Sequence, residues 1–399
     1  MNAPVFVAGT GIISAIGDNI AESITAFENE QPGMGEMHFL QSAHRQRLPV
    51  AEVNHSNAEL AEMSGLPAWV SRTAMLSAVA AREALRNAGL DQAGGLRAGF
   101  FSANTVGGMD KTEDFFSSFL GNPLSGRLRE VIHHECGAIT ELVADHLGIR
   151  DYVATVSTAC SSSANSIFCA ARMIRQGKLD IAVAGGADAL TKFTLNGFNT
   201  LMILDSQYCQ PFDENRRGLN LGEGAGYIVM VSETIAGKLT KPPVAFLSGY
   251  CNANDAYHQT ASSPEGTGSF LAMKGALAKS GLSPRDINYI NLHGTGTQNN
   301  DIAEGTAIKL LFGEKFPPMS STKSFTGHTL GASGGVEAVL SVLSIEQGLI
   351  YPNLRFHTQM KELPFAPVTT FSRNNKIKHV LSNSFGFGGN CSSLIFSKT

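Results

Sequence analysis

Short apolar runs alternate along the chain with longer segments in which apolar residues recur at helical spacing. The runs Val5–Ala8 and Ile181–Ala184 are bounded by glycine or polar residues, which is typical of strands. Arg72–Ala88 shows helical spacing and is followed by Gly89, a residue type that commonly ends a helix. Because strands and helices alternate in this way, the sequence predicts an α/β fold with mostly parallel sheets.

The two halves of the chain also resemble each other. Each half contains, in the same order, a helix end followed by a loop and a strand, a Ser-Thr segment that introduces a helix, and a glycine-rich segment before an apolar strand. The three pairs are Ala84–Leu90 with Ala276–Leu282, Ser157–Cys160 with Ser321–Lys323, and Gly222–Gly226 with Gly386–Gly389. This order predicts a duplicated α/β unit with its boundary near Thr240–Pro243, that is, halves of residues 1–240 and 241–399.

Composition narrows the class of protein. The chain has 399 residues, of which 43% are hydrophobic and 16% are charged. Such a chain can bury a large core, which excludes a disordered protein, a coiled coil and a small disulfide-stapled scaffold. The net charge of −4 provides no overall basic field, so we expect neither nucleic acid nor a membrane as a partner.

The cysteine spacing and the N-terminal segment predict a cytoplasmic protein. The six cysteines are widely spaced, with no CxxC pair and no zinc-ligand spacing, so we expect no metal site. Met1–Gly11 lacks the basic and apolar regions of a signal peptide, and the apolar runs are too short to span a bilayer.

Three residues are candidates for chemistry. Cys160 directly precedes the predicted helix Ser161–Gln176, where the helix N-terminus should lower the pKa of its thiol; a small buried core cysteine is the alternative. His293 lies at a predicted strand end before Gly-Thr-Gly-Thr, and His328 lies in a glycine-rich loop. Each histidine alone is more often an ordinary structural group. Together, a thiol and two imidazoles suit thioester chemistry.

Five motifs of this chain resemble, in order, those of the β-ketoacyl-acyl-carrier-protein synthases of the thiolase superfamily, specifically the elongating Cys-His-His type. The motifs are Thr158–Ser162, Gly222–Gly226, His293–Thr297, Ser321–Ser324 with Gly327 and His328, and Ser384–Gly389. The resemblance covers nearly the whole chain. It implies a thiolase-like duplicated fold with a five-layer αβαβα arrangement and a homodimer, with a heterodimer with a related subunit as the alternative.

The resemblance also implies an activity, a decarboxylative Claisen condensation. An acyl group held on Cys160 would condense with malonyl-acyl carrier protein during elongation of fatty acids, polyenes or polyketides. The partner would be the acyl carrier protein, whose phosphopantetheine arm carries the substrates, and no separate cofactor would be needed. The first half of the chain would carry the nucleophilic cysteine, and the second half would carry both catalytic histidines.

Further site residues follow from the same resemblance. His293 and His328 would bind the malonyl thioester, and Lys323 and Glu337 would support them. The backbone N–H groups of Cys160 and Phe387 would form the oxyanion hole. The residues expected to line or gate the acyl pocket are Phe198, Phe385 and Phe387.

The chain departs from the family pattern in places that affect docking and substrate choice. Asn390-Cys391 replaces the usual Thr-Asn, Arg217 replaces an acidic residue, and the segment from Asp110 to Ala144 is atypical. An acidic carrier needs a local basic patch on this acidic chain, so we expect docking at Arg127 and Arg129. The other candidates for that patch are Arg45, Arg47 and Arg72.

Three other classes stay open at this point. A degradative thiolase would need a second catalytic cysteine, for which Cys391 is the candidate. A non-catalytic chain-length factor, which is a binding subunit, typically lacks the cysteine that this chain keeps at position 160. A nicotinamide-dependent oxidoreductase could use Gly9 and Gly11, but the third glycine and the acidic ribose ligand of that motif are missing.

Overall fold

The computed structural model describes residues 4–90 and 95–399, so the first three residues of the Met1–Gly11 segment lie outside the described residues. Ten strands and twelve α-helices lie within these ranges. The strands are β1 (Val5–Ser14), β2 (Ala98–Ala103), β3 (Tyr152–Val156), β4 (Ile181–Asp188), β5 (Gly224–Ser232), β6 (Ala245–Asn254), β7 (Tyr289–Asn291), β8 (Met319–Ser320), β9 (His379–Phe385) and β10 (Asn390–Lys398). The helices are α1 (Ile20–Glu28), α2 (Asn57–Ser64), α3 (Arg72–Asn87), α4 (Met109–Gly121), α5 (Cys136–His146), α6 (Ser162–Arg175), α7 (Lys192–Thr200), α8 (Glu233–Ala236), α9 (Thr267–Ser280), α10 (Gln298–Phe312), α11 (Lys323–Thr326) and α12 (Ser333–Gln347).

The strand order demonstrates the duplication. The strands form one sheet in the order β3-β2-β4-β5-β1-β6-β10-β9-β7-β8. The two ends of this order mirror each other, since β6 takes the place of β1, β10 of β5, β9 of β4, β7 of β2 and β8 of β3. The pairing directions agree as well, because β2 and β7 each have two parallel neighbours and the other pairs are antiparallel. The duplicated α/β fold predicted from the sequence is therefore confirmed.

The ten strands form two half-sheets, β1–β5 and β6–β10, and helices alternate with these half-sheets in five layers. α6 and α12 lie in the middle, where α6 contacts β4 and β10 while α12 contacts β5 and β9. α3 and α5 cover the outer face of the first half-sheet, and α9, with α10 beside it, covers the outer face of the second. This is the αβαβα arrangement, and it buries α12 continuously from Ser333 to Ile345.

The expectation of mostly parallel sheets was wrong, because both half-sheets are mixed. In the second half-sheet, β9 pairs with β7 in parallel and with β10 antiparallel. The connection from β9 to β10 is the short turn 386–389, and a connection of this length reverses the chain, whereas a parallel neighbour needs a long crossover.

Several glycines serve close packing of helices on the sheet. β1 continues through Gly9 and Gly11 to Ser14, where we expected the strand to end at Ala8. A Cβ atom at either glycine would collide with carbonyl oxygens of α3, and one at Gly226 would collide with the backbone of α12. The Gly9–Gly11 segment is thus a packed strand, which removes the basis for a dinucleotide-binding turn there.

The fold brings the candidate residues to one place between the halves. Cys160 lies between β3 and α6, and His328 occupies the equivalent connection between β8 and α12 in the second half. His293 follows β7, and Phe387 lies in the turn between β9 and β10. Among the helices of residues 4–90 and 95–399, none is both long enough and apolar enough to cross a membrane.

Candidate active site

The candidate nucleophile lies on a tight turn. Ala159 adopts φ = +52°, in the left-handed region, which costs an alanine roughly 1 kcal/mol. Side chains hold the turn, since the Thr158 N–H donates to Ser162 Oγ at 2.7 Å and Ser161 Oγ donates to the Thr158 carbonyl oxygen at 2.7 Å. Cys160 therefore projects ahead of α6, as the sequence predicted, into a buried site.

The helix start does not lower the pKa of this thiol. Burial raises the pKa of Cys160 to about 11, although the charge of Lys323 and the backbone N–H groups of Phe387 and Cys160 act in the opposite direction. The expected lowering was therefore wrong. Cys160 is only 6% exposed, and the cost of removing a thiolate from water exceeds the favourable field of a helix N-terminus.

Two imidazoles face the thiol. His328 Nε2 lies 3.0 Å from Cys160 Sγ, and the reactive atoms of Cys160, His293 and His328 lie within 4.8 Å of one another. His328 Nδ1 accepts the backbone N–H of Leu330 at 3.3 Å. Because that N–H can only donate, the proton of the neutral imidazole lies on Nε2 and points at the sulfur.

Lys323 fixes the second imidazole in the same tautomer. Its Nζ lies 3.3 Å from His293 Nδ1 and 2.6 Å from the His293 carbonyl oxygen, and it forms an ion pair with Glu337. An ammonium group only donates, so His293 also carries its proton on Nε2. Burial and the charge of Lys323 hold the pKa of both histidines well below the usual value, and both imidazoles are neutral at neutral pH. Burial raises the pKa of Glu337 to about 7 against the opposing charge of Lys323.

Sequence reasoning missed Glu304, which holds the turn that presents His293. Its carboxylate accepts the backbone N–H groups of His293 at 2.9 Å and Gly294 at 2.8 Å, and the Asn383 side chain at 3.0 Å. Burial raises the pKa of Glu304 to about 7. An isolated glutamate within α10 has no motif of its own, and its partners His293, Gly294 and Asn383 lie in other segments that only the folded chain brings to it.

A cavity of about 230 Å³ with a mixed polar and apolar lining connects the surface with the thiol and the two imidazoles. We call it the entry cavity. Polar side chains line its outer part, and these are Arg217, Thr260, Ser262, Thr295, Thr297, Gln298, Asn299 and Asn300. Phe385 is buried beside the imidazoles, with its ring 5.8 Å from that of His293, and it lines this cavity.

A second cavity, of about 420 Å³ and almost entirely apolar, begins on the other side of the thiol. Helix α7 supplies much of its wall through Phe193, Thr194, Gly197 and Phe198. Phe198 and Phe387 line both cavities and stack on each other at their junction, with ring centroids 5.5 Å apart. A linear apolar group attached to Cys160 fits into this second cavity, which we call the apolar cavity.

The predicted docking arginines lie outside both cavities. Arg127 and Arg129 are exposed on the loop that follows α4, where the Arg129 guanidinium lies 5.5 Å from the centre of the Trp69 ring. The basic residue at the mouth of the entry cavity is Arg217, which pairs with Asp205 at 2.9 Å. The docking role of Arg127 and Arg129 stays a prediction.

A thiol and two imidazoles at this spacing could also hold a metal ion. A ligand nitrogen must offer a lone pair, however, and in both histidines Nε2 carries the proton while Nδ1 already accepts a hydrogen bond. This arrangement provides hydrogen-bond donors for a carbonyl oxygen. The fold and the site together define an enzyme of the thiolase-like class, which transfers acyl groups through a cysteine thioester.

Comparison with known proteins agrees with this class. Residues 2–236 match the family model described as Beta-ketoacyl synthase, N-terminal domain, and residues 244–357 match the corresponding C-terminal domain. The 3-oxoacyl-[acyl-carrier-protein] synthase 2 of Staphylococcus aureus (strain COL) is 33% identical over 414 residues, which cover 100% of this chain and 99% of that protein. The chain belongs to the β-ketoacyl synthase family, and it is a condensing enzyme, an acyltransferase that elongates acyl chains.

Solved structures show the same relationship. The ishigamide ketosynthase/chain length factor superposes with a TM-score of 0.94 at 27% identity, and the alignment covers 100% of both chains. A type II acyl-carrier protein in complex with its ketosynthase, AntDE:AntF, gives a TM-score of 0.89 at 25% identity with the same coverage.

The structure separates Cys391, the candidate second cysteine of a thiolase, from the Cys-His-His group. Cys391 lies on β10 in a small apolar cluster with Ala272 and Phe385. Its thiol bonds to Ser269, and burial raises its pKa to about 12. Cys391 belongs neither to the group of the thiol and two imidazoles nor to the lining of the two cavities, so it is not placed to act as a second nucleophile.

Proposed function

We propose that this enzyme condenses an acyl group, held as a thioester on Cys160, with a malonyl group carried by an acyl carrier protein, and releases CO2. The observation that carries the proposal is the position of Cys160 Sγ, 3.0 Å from His328 Nε2 and at the junction of the entry cavity and the apolar cavity. The nucleophile can thus hold an apolar chain on one side while a second thioester enters from the other.

The first half-reaction transfers the acyl group to the enzyme. Cys160 Sγ forms a bond to the carbonyl carbon of the acyl thioester, the bond to the phosphopantetheine sulfur breaks, and the thiol proton leaves with that sulfur. The backbone N–H groups of Cys160 and Phe387, which both point at the sulfur, receive the negative charge that develops on the carbonyl oxygen. Neither imidazole has a free lone pair facing the thiol, so we assign no general-base role to the histidines in this step.

The second half-reaction uses the two imidazoles as donors. Their Nε2–H groups bind the carbonyl oxygen of the malonyl thioester and stabilise the enolate that forms when CO2 leaves. The enolate carbon then attacks the acyl carbonyl on Cys160, and the bond from that carbonyl to the sulfur breaks. Lys323, held by Glu337, keeps His293 in the donor tautomer and offsets the negative charge of the enolate.

We further propose that the chain works as a dimer, either with a second copy or with a related subunit. A strip of exposed apolar side chains on α4 offers a surface for the second subunit. These residues are Phe116, Phe119 and Leu120. The apolar cavity opens beside this strip, since Phe193 and Leu201 are exposed and line the cavity. One solved relative is described as a ketosynthase/chain length factor, and another is described in complex with an acyl-carrier protein. These descriptions support a related subunit and a carrier protein as partners.

The division of labour between the halves follows from the same scheme. Residues 1–240 would supply the sulfur and most of the apolar cavity, and residues 241–399 would supply both imidazoles, so that neither half is active alone. Phe387 would act as the gate between the cavities, with Phe198 as its stacking partner and Phe385 supporting His293. The cytoplasm stays the predicted location. Because phosphopantetheine would carry the substrates, no step of this scheme would require a separate cofactor.

The intact mass of the protein tests this function. Incubation with acyl-acyl carrier protein should add one acyl group to the parent chain, and Cys160→Ala should abolish the added mass because the thioester has no other acceptor in the site. Cys169→Ala, which removes a half-buried thiol from the helix that follows Cys160, is the matched control and should be acylated like the parent. Full acylation of Cys160→Ala would refute the assignment.

The same assay separates the two half-reactions. His293→Ala should still acquire the acyl group, but condensation with malonyl-acyl carrier protein should fall by about 100-fold or more, because one of two donors to the enolate is lost. Loss of self-acylation in this variant would instead identify His293 as a group that the first step requires.

A further inference from the structure

One side-chain oxygen joins the two segments that surround the reactive sulfur. Asn390 follows the glycine-rich turn between β9 and β10, and its Oδ1 accepts hydrogen bonds from three side chains. The donors are Ser161 Oγ at 2.7 Å, Asn165 Nδ2 at 3.0 Å and Asn252 Nδ2 at 2.7 Å. Because two of these partners are amide NH2 groups, the oxygen of Asn390 is the atom that faces them.

The contact on one side reaches the turn that carries the nucleophile. Ser161 directly follows Cys160, and its hydroxyl also lies 2.7 Å from the Thr158 carbonyl oxygen, so two acceptors share one hydrogen. Asn165 Nδ2 also donates to Thr158 Oγ1 at 2.8 Å. The oxygen of Asn390 is therefore bonded directly to Ser161 and Asn165, which follow Cys160, and through them it is linked to Thr158, which precedes Cys160.

The contact on the other side reaches the turn that carries Phe387. The carbonyl oxygen of Asn390 accepts the N–H of Gly386 at 2.9 Å and closes this turn. The two turns touch, since a Cβ atom at Gly386 would lie 3.0 Å from the backbone nitrogen of Cys160. Phe387, the next residue, directs its N–H at the Cys160 sulfur.

We propose that Asn390 is a positioning residue that sets the distance between the two backbone N–H donors of Cys160 and Phe387. The inference rests on the proposed acyl-transfer function, because it concerns the oxyanion that forms there. This chain has asparagine where the family motif has threonine, whose hydroxyl ends one bond closer to the backbone. In this chain the longer asparagine side chain reaches three donors.

Variants of Asn390 test this role through the acyl-transfer rate. Loss of a whole oxyanion donor lowers the rate constant by about 100-fold to 1,000-fold, so a displaced donor should lower it by about 10-fold. We expect Asn390→Ala to lower the self-acylation rate constant by about that factor while KM for the acyl thioester stays within about twofold. Asn390→Asp keeps an acceptor oxygen for all three donors and should stay within about threefold of the parent.

A control and a second readout separate positioning from folding. Asn375→Ala removes a half-buried asparagine that bonds to Gly348 and Ser372 outside the site, and it should acylate normally. Alkylation of Cys160 by iodoacetamide forms no oxyanion, so Asn390→Ala should slow alkylation much less than acylation. Equal slowing of both reactions, or a parental acylation rate in Asn390→Ala, overturns the proposal.

Ser161→Ala keeps the question answerable if Asn390→Ala fails to fold, because it removes the same contact from the other side. It should lower the acylation rate constant, again without a change in KM, and an unchanged rate constant overturns the proposal. Failure of the proposed function would look different, since the parent chain itself would then acquire no acyl group.

Discussion

At the scale of single residues, the chemistry depends on which groups are charged before substrate binds. A thiol pKa of about 11 leaves only about one part in ten thousand of Cys160 as thiolate at pH 7. The neighbouring imidazoles are neutral, with pKa values well below the usual one, and both present N–H groups. The resting site therefore carries little charge on the groups that meet the substrate, and the fixed donors act mainly on the charge that develops during reaction.

This charge state predicts how alkylation of Cys160 depends on pH. The rate of modification by iodoacetamide should rise by about tenfold per pH unit from pH 7 to pH 10, because the thiolate is the nucleophile and its fraction grows by that factor below the pKa. Mass spectrometry of the modified peptide gives the rate at Cys160, and Cys160→Ala gives the background at the other cysteines. A rate that levels off near pH 7 would show that the helix N-terminus does stabilise the thiolate.

The residues of the site differ in how well sequence could find them. Cys160, His293 and His328 lie in distinctive motifs, and the structure brings them together. The pKa direction of Cys160 could not be read from the sequence, because it depends on a degree of burial that both halves create jointly. The roles of Glu304 and Asn390 could not be predicted from the sequence either, because each residue contacts segments that are distant in sequence.

At the scale of elements, α7 forms much of the wall of the apolar cavity, and α4 holds the first turn of α7. Glu113 on α4 accepts the N–H groups of Lys192 at 3.1 Å and Phe193 at 2.6 Å in the first turn of α7. The start of α4 is itself tied to α3, because Asp110 accepts the Ser71 hydroxyl at 2.6 Å. α4 has no buried residue, so these carboxylates account for much of its attachment.

Removing this attachment should change acyl-chain preference. We expect Glu113→Ala to flatten the dependence of self-acylation rate on chain length by severalfold, because a less firmly held α7 discriminates less between short and long chains. The free energy of unfolding should fall by about 1 kcal/mol, as it does when a helix cap is lost. Asp114→Ala removes the same charge from an exposed neighbouring position on α4 and is the control. An unchanged chain-length profile in Glu113→Ala would show that α7 is held without α4.

The order of elements could be predicted, but their directions and ends could not. The repeated segments gave the duplication correctly because each marks an equivalent helix or strand boundary in the two halves. The glycines of β1 looked like a strand end because sequence does not show that α3 packs directly on them. The antiparallel pairs of the central strands depend on long-range neighbours, and local alternation of strands and helices carries no information about those pairs.

At the scale of the whole molecule, the distribution of charge matters more than its sum. The chain is net acidic, at −4, yet Arg127 and Arg129 are both exposed on one loop. Arg217 lies instead at the mouth of the entry cavity, where it pairs with Asp205. An acidic carrier protein would therefore meet separate basic positions, one at the mouth and one on the loop after α4.

Charge reversal on that loop tests the docking role. In the variant with both Arg127→Glu and Arg129→Glu, we expect a several-fold higher apparent KM for acyl-carrier-bound substrate and a weaker salt dependence, because attraction between opposite charges acts on encounter. Activity with a small soluble acyl thioester should stay nearly unchanged, since the loop lies outside both cavities. Arg285→Glu, at an exposed position in the second half of the chain, is the control. If the small thioester is affected equally, these arginines contribute to the fold or to subunit contact, and the carrier docks elsewhere.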